Sequence, residues 1–439
     1  MKIKGFFICC IAVALAQTGV RGQSFFDFDF PGFGMREGTS ERQKSLEFDY
    51  DVDFSYCFDL RRFDASSQIF MSNEVLDVAR LSPSAGLRIN QAGGVTHRLM
   101  AGVDITKDLG ANPVAVTTYS SDEDAETLRN ARLFQDIFYY YNLQAALGRG
   151  TFDFYAGIFP RTVMQGEYSR AFFSEATKLY DPNLEGAFVR YRTPKLYAEA
   201  GWDKLGYKEI DRKERYMVFS AGAYSPLKWL SAGWAVSYMH IGSSWLGSCN
   251  VDHAMANPYL KFDFGGLLGL DELSFKAGAL ASYQADNLID ESPHFPLGAE
   301  GILTVRHWNA GIENTLFYGD NMMPFKSSTY TSTYETSEYN SLLYLGEPFY
   351  YTHRGYPSFY DRFEVFYEPR IAPFLKARIS AVAHFINPTA SFDAFTGWQA
   401  RATLVFDLDA LRHPKTVTAP GKGKTSTQKK RPAGPSVKL

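Results

Sequence analysis

Cysteine is scarce in this chain of 439 residues: there are four, and two of them, Cys9 and Cys10, fall within the first 22 positions. The remaining pair, Cys57 and Cys249, makes no disulfide framework. The strand assignment below sets the two on nearly opposite walls, so no bridge is expected between them. Long apolar runs are missing as well. The run from Phe6 to Ala16 is too short to span a bilayer, which takes roughly 20 residues. No other stretch is apolar enough for a membrane helix. The motifs His-Glu-x-x-His, Gly-x-Ser-x-Gly and Cys-x-x-Cys are all absent, which removes the short signatures of metal and nucleophile chemistry. His97, His240, His253, His294, His307, His353 and His384 are scattered, and only His240 and His253 flank one loop closely enough to meet. No catalytic group, metal or cofactor is expected.

What is present begins with Met-Lys-Ile-Lys ahead of the apolar run, a charged region and a hydrophobic region in the order of a secretory signal peptide. Residues 1–22 are read as that peptide, cleaved before Gln23. The tail from His413 carries seven Lys/Arg and no acid. The formal net charge of −3 therefore hides an acidic body, which argues against nucleic acid as a partner. Residues 411–439, rich in Lys, Gly, Pro, Ser and Thr, read as a basic disordered tail.

Aromatics make up 16% of the chain, with 27 Tyr and 36 Phe, more than a soluble core needs. Leu46, Phe48, Tyr50, Val52, Phe54, Tyr56, Phe58 and Leu60 alternate with Glu47, Asp49, Asp51, Asp53, Ser55, Cys57 and Asp59. Period-two alternation of this length gives a strand with one apolar face and one polar face, long enough for a membrane-spanning strand of at least roughly 9–11 residues. Further strands are read near 82–92, 95–106, 130–147, 150–161, 184–193, 195–204, 214–225, 228–242, 257–264, 272–285, 297–306, 307–319, 361–370, 373–386 and 396–409. Short links alternate strictly with long ones: 61–81, 107–129, 162–183, 205–213, 243–256, 286–296, 320–360 and 387–395. That is the signature of a closed antiparallel transmembrane β-barrel with short periplasmic turns and long extracellular loops. The expected fold is all-β, about sixteen strands (14–18), over residues 45–410, with 23–44 as a periplasmic lead-in. The expected location is the outer membrane of a Gram-negative bacterium.

Residues 154–186 narrow the comparison. They read Phe-Tyr-Ala-Gly-Ile-Phe-Pro-Arg, then Gly166-Glu-Tyr-Ser-Arg-Ala-Phe-Phe-Ser, then Tyr180-Asp-Pro-Asn-Leu-Glu-Gly. The chain resembles porin-like outer-membrane barrels, in particular those of Bacteroidota, over roughly residues 45–409. The resemblance implies location and fold rather than cargo. It departs from the pattern at its end, where about thirty residues follow the last strand, Trp398 to Leu408.

Three groups of residues are candidates for lining or gating a lumen. Glu47, Asp49, Asp51 and Asp53 point inward on the first strand, while Lys376, Arg378 and His384 point inward near the end, with Arg401 on the last strand. Opposed rows across water would orient polar solutes. Alternatively they form cross-strand ion pairs that fix the closing register. In the third long loop, Arg161, Glu167, Arg170, Glu175 and Asp181 accompany enough apolar surface to pack, either inward as a constriction or as a compact external loop. In the seventh, Tyr330, Tyr334, Tyr339, Tyr350 and Tyr351 offer aromatic faces to sugar rings or self-packing at the barrel mouth.

Two functions follow from different classes. A porin-like channel would pass small polar solutes passively or with weak selectivity, with a cation preference if the acids line it. A plugged barrel would instead hold glycan or capsule on its loops. A barrel enzyme ranks below both. The partners implied are outer-membrane lipid, small polar solutes or glycans and the barrel-assembly machinery. A homotrimer is an assembly open to a pore of this size, although no residue marks its face.

Overall fold

The computed structural model describes residues 45–63, 74–91, 93–109, 136–209, 213–245, 248, 250–288, 293–322, 345–350, 357–372, 374–387 and 395–407. Its strands in chain order are β1 (Ser45–Phe63), β2 (Glu74–Gln91), β3 (Val95–Asp108), β4 (Asp136–Leu147), β5 (Gly150–Pro160), β6 (Asn183–Arg192), β7 (Leu196–Gly206) and β8 (Arg215–Leu227). They continue with β9 (Leu230–Ile241), β10 (Val251–Asp263), β11 (Glu272–Asp286), β12 (Leu297–His307), β13 (Ala310–Gly319), β14 (Ser358–Tyr367), β15 (Arg370–Ala372), β16 (Leu375–Asn387) and β17 (Phe395–Asp407). Two short helices interrupt them, α1 (Glu175–Tyr180) and α2 (Gly265–Leu268). No helix among the described residues is long and apolar enough to cross a membrane.

All pairings are antiparallel, and β1 pairs with both β2 and β17, so the sheet closes on itself. β14 pairs directly with β16. The three-residue β15 touches only the start of β16 and adds no stave to the wall. The result is an all-β closed antiparallel barrel of sixteen strands, an even number as single-chain barrels require.

Strand β1 shows why the wall forms. Leu46, Phe48 and Tyr50 are exposed on the outside, while Asp49, Cys57, Asp59, Arg61 and Phe63 are buried within. Hydrogen-bonded register carries this parity round the barrel: Glu47 faces Arg88, Arg88 faces Arg98 and Arg98 faces Asn142, all on the inner side. Trp229, Phe262 and Phe264 stack on the outer face beside the short turns, where an interfacial aromatic girdle belongs.

Some boundaries differ from the sequence reading. β2 begins eight residues earlier than expected, at Glu74 rather than 82. The 265–271 link is not a bare turn but contains α2, and the residues before β16 form β15. Both depend on local turn geometry rather than on alternation. Cys57 is a free, buried thiol on the inner face. Cys249 lies outside the described residues, as do 1–44 and 408–439, which hold the expected signal peptide, lead-in and tail.

The interior of the long-loop half is packed. Phe159, Phe172, Phe188, Phe219, Phe317 and Tyr350 belong to one buried cluster there. The short-turn half contains cavities, and the boundary between the halves is the site.

Candidate functional site

The loop from β5 to β6 turns into the barrel. Its two ends are tied at Arg161, whose guanidinium pairs with Asp181 at 2.5 Å and with Asp203 of β7 at 2.7 Å. The Arg161 N–H donates to the Pro182 carbonyl at 2.7 Å. Between these ends the segment runs along the wall. Gln165 N, Gly166 N and the Tyr168 hydroxyl all donate to Glu199 of β7, at 2.9, 3.1 and 2.9 Å. The Ser169 hydroxyl donates to Glu300 of β12 at 2.7 Å. Arg170 pairs with Glu313 of β13 at 3.0 Å, and Glu175 accepts from Arg401 of β17 at 2.7 Å. A segment touching β7, β12, β13 and β17 crosses the lumen.

Local sequence explains its shape. A Cβ at Gly166 would collide with Ala221 and Glu199, so only glycine lets the backbone approach this wall. Ser174 caps α1, its hydroxyl accepting from Thr177 N at 3.0 Å. Tyr168, Phe172 and Phe173 form one aromatic group against Phe219.

A second piece of chain meets the first. Residues 345–350 lie inside the barrel: the Leu345 carbonyl accepts from Ser174 N and the Thr177 hydroxyl, both at 2.7 Å, and Glu347 N donates to the Arg170 carbonyl at 2.8 Å. Gly346 sits so close to Ala171 that a Cβ would strike its backbone. Phe349 stacks on both Tyr360 and His384, with centroids 4.9 and 4.4 Å away. Tyr350 is fully buried, its hydroxyl donating to Glu300 at 2.5 Å.

This corrects the expectation for Tyr350. Its ring packs on Phe317 within the barrel and presents no face to a sugar. Tyr330, Tyr334, Tyr339 and Tyr351 lie outside the described residues.

The inner-wall candidates divide differently from the opposed rows. Glu47, Asp49, Asp51 and Asp53 share the inner face of β1. Asp49 pairs with Arg88 at 3.0 Å and Arg98 at 2.7 Å, on β2 and β3. Arg378 pairs with Glu364 at 2.9 Å and Glu368 at 2.8 Å, beside β14. Arg401 serves the crossing segment. Asp49 and Arg378 are thus matched away from the β1–β17 seam, whereas Arg401 stands at it, opposite Asp59. His240 and His253 do not meet either. In the β9–β10 register His240 stands opposite Asp252 and His253 opposite Met239. His240 therefore lies on the outer face with Asp252, while His253 lies on the inner face.

Sequence reading missed Glu199, Asp203, Glu300, Lys261 and Lys276. Each stands on an inward position of its strand, and strand parity was the available signal.

On the short-turn side of the crossing segment lies a cavity of about 360 Å³, bounded by Glu167, Arg170, Glu175, Lys276, Arg306 and Arg378 among others. A second, of about 610 Å³, opens at the short-turn rim beside Lys376, Thr403 and Val405. They share Arg306, Glu368 and Arg378, so the two cavities adjoin at that ion-paired cluster.

No protein-family model matches the chain, and no curated protein sequence matches it. Solved structures similar to it do exist. OprD of Pseudomonas aeruginosa shares 10% identity over 83% of this chain and 95% of its own, with a TM-score of 0.40. OccAB4 of Acinetobacter baumannii shares 9% over 83% and 98%, with a TM-score of 0.42. An anion-selective porin from Comamonas acidovorans shares 10% over 83% and 100%, with a TM-score of 0.41. The closed barrel itself is read from the pairing of β1 with β17.

Charge holds the crossing segment. Burial opposes ionisation of Glu175, yet Arg401, Lys178 and Arg170 together keep its carboxyl well below the ordinary carboxylate range. A depressed folded-state value means that the stabilisation is complete above the ordinary glutamate pKa, about 4.3. It is lost only as pH falls through the depressed value. Current noise of the barrel reconstituted in a planar bilayer, which reports motion of the segment if the barrel conducts, should therefore be the same at pH 7 and pH 5. Glu175→Gln should be noisier at both. Noise rising in the parent between those pH values would mean that another group holds the segment.

Proposed function

We propose that this chain is a porin-like channel of the outer membrane that admits small polar solutes passively or with weak selectivity. The observation that carries the reading is the pair of adjoining cavities, lined by charge, between the short-turn rim and the crossing segment. Closed barrels of about sixteen strands leave room for water, and here a folded-in segment narrows that room. In this reading the short turns are periplasmic and the long loops extracellular, as in the Bacteroidota barrels that the sequence resembles. Lipid, the solutes and the barrel-assembly machinery are its partners in this reading, and a homotrimer is one assembly open to it.

The wall is not uniform in sign. Asp51 and Asp53 stand on β1, whereas Lys261 and Lys276 stand on β10 and β11, about half-way round the sixteen-strand wall. A transverse field of this kind orients solutes that carry separated charge. The β1 acids motivate a weak cation preference.

Single-channel recording in a planar bilayer under a salt gradient tests both statements. Current steps with a cation-selective reversal potential are expected, and Asp51→Lys with Asp53→Lys should shift that potential toward anions. A correctly inserted barrel that carries no current would overturn the channel.

The alternative, a plugged barrel that holds glycan at its mouth, draws on one observation: 345–350 and the crossing segment fill the long-loop half together. Glycan binding by a non-conducting barrel would select it.

A further inference from the structure

Lys261 of β10 and Lys276 of β11 are direct cross-strand partners on the inner face. Side chains in such pairs lie roughly 4.5–5.5 Å apart at Cβ, and like charges there are destabilising. Lys276 is also 6% exposed, and a buried ammonium needs a partner. The pair is relieved by the buried Glu300 carboxylate, which faces Lys276, and by one residue of the crossing segment. The Glu167 carboxylate accepts from Lys261 Nζ at 2.7 Å, and the Glu167 backbone carbonyl accepts from Lys276 Nζ at 3.2 Å. The Lys276 ammonium also lies 4.2 Å above the Tyr259 ring.

The backbone and side chain of Glu167 are held differently. Its neighbours Gln165, Gly166 and Tyr168 are all fixed to Glu199, so the chain on either side is pinned. The carboxylate arm is 43% exposed and borders the 360 Å³ cavity. It can swing off Lys261 without moving the segment. Ser274 and Thr304, cross-strand partners on the same inner face, add hydroxyls to that cavity.

We propose that Lys261 and Lys276 form a site for the carboxylate of a small anionic solute, which Glu167 occupies as a tethered stand-in until the solute displaces it. The site deepens the channel reading and rests on it for its role in transport. A tethered group competes at an effective concentration in the millimolar range for a short tether. The solute is therefore held weakly and released readily, as conduction requires.

The test uses the whole chain in detergent with isotope-labelled acetate at constant ionic strength, binding being read from line broadening. Glu167→Gln removes the competitor and should tighten acetate binding by about tenfold. Replacing both lysines with methionine in that background should abolish it, with heat-modifiable electrophoretic mobility confirming a closed barrel. Lys276→Gln alone, the milder change, should weaken it severalfold. Unchanged affinity in Glu167→Gln, or binding that survives loss of the lysines, would overturn the proposal. Conductance is measured separately in a bilayer. A silent barrel that binds acetate removes the channel and keeps the site, and a conducting barrel indifferent to Glu167 removes the site alone.

Discussion

Excising residues 164–174 and joining the ends with a short Gly/Ser linker should raise single-channel conductance several-fold. The wall of sixteen strands is wide enough for an aqueous channel, and it is the segment between Arg161 and Asp181 that crosses it. The excision leaves the wall intact. Glu313 and Glu364 lose Arg170, but Arg362 stays within 3.5 Å of Glu313 and 2.7 Å of Glu364. The cut also removes Phe172 and Phe173 from the buried cluster and Glu167 from Lys261 and Lys276, so heat-modifiable electrophoretic mobility first establishes that the shortened chain still forms the barrel. Planar-bilayer recording of parent and excised chains at one salt concentration reads the result directly. Equal conductances would show that the resistance lies elsewhere, with 345–350 the next suspect.

The second large effect concerns stability. Asp203→Ala should lower the unfolding free energy by about 1.5–3 kcal/mol. The Arg161 and Asp203 side chains are 8% and 1% exposed and 2.7 Å apart. Removing Asp203 takes away the buried half of the Arg161 counter-charge and leaves only Asp181, which is 45% exposed. The substitution also frees Glu185 N, which donates to Asp203 at 3.0 Å. Urea titration of the barrel in lipid vesicles, followed by tryptophan fluorescence, measures the loss. A change under about 1 kcal/mol would place this pair in the range of solvated surface bridges.

The fold was readable where the inside of the barrel is wet. On β1 the inner face carries Asp49, Asp51 and Asp53 near the short turns, and alternation is plain. It was faint on β8 and β10 because the lumen there is filled. Met217, Phe219 and Ala221 on β8, with Val251 and Met255 on β10, are buried against inner segments. The inner face of β8 is then apolar like its outer one, which erases period two, while on β10 the small outer residues Ala254, Ala256 and Pro258 weaken the contrast. The same filling hid much of the site. The charges of 161–182 were visible along the chain, but Glu199, Glu300, Lys261 and Lys276 come together with them only through the register of the entire barrel. His240 and His253 show the limit most simply: loop proximity suggested a pair, and strand parity separates them.

The closing seam of the barrel has a further property. Glu175 binds Arg401 on β17 at 2.7 Å, and Glu347 lies 3.7 Å from Arg61 on β1. Glu175 N in turn donates to Glu347 at 3.1 Å. The two edges that meet last are thus strapped together from within, by a tie that can form only after both edges are in place. Lateral opening between β1 and β17 must break that internal strap as well as the ladder, so the joint between first and last strands resists shear more than its backbone hydrogen bonds alone would allow.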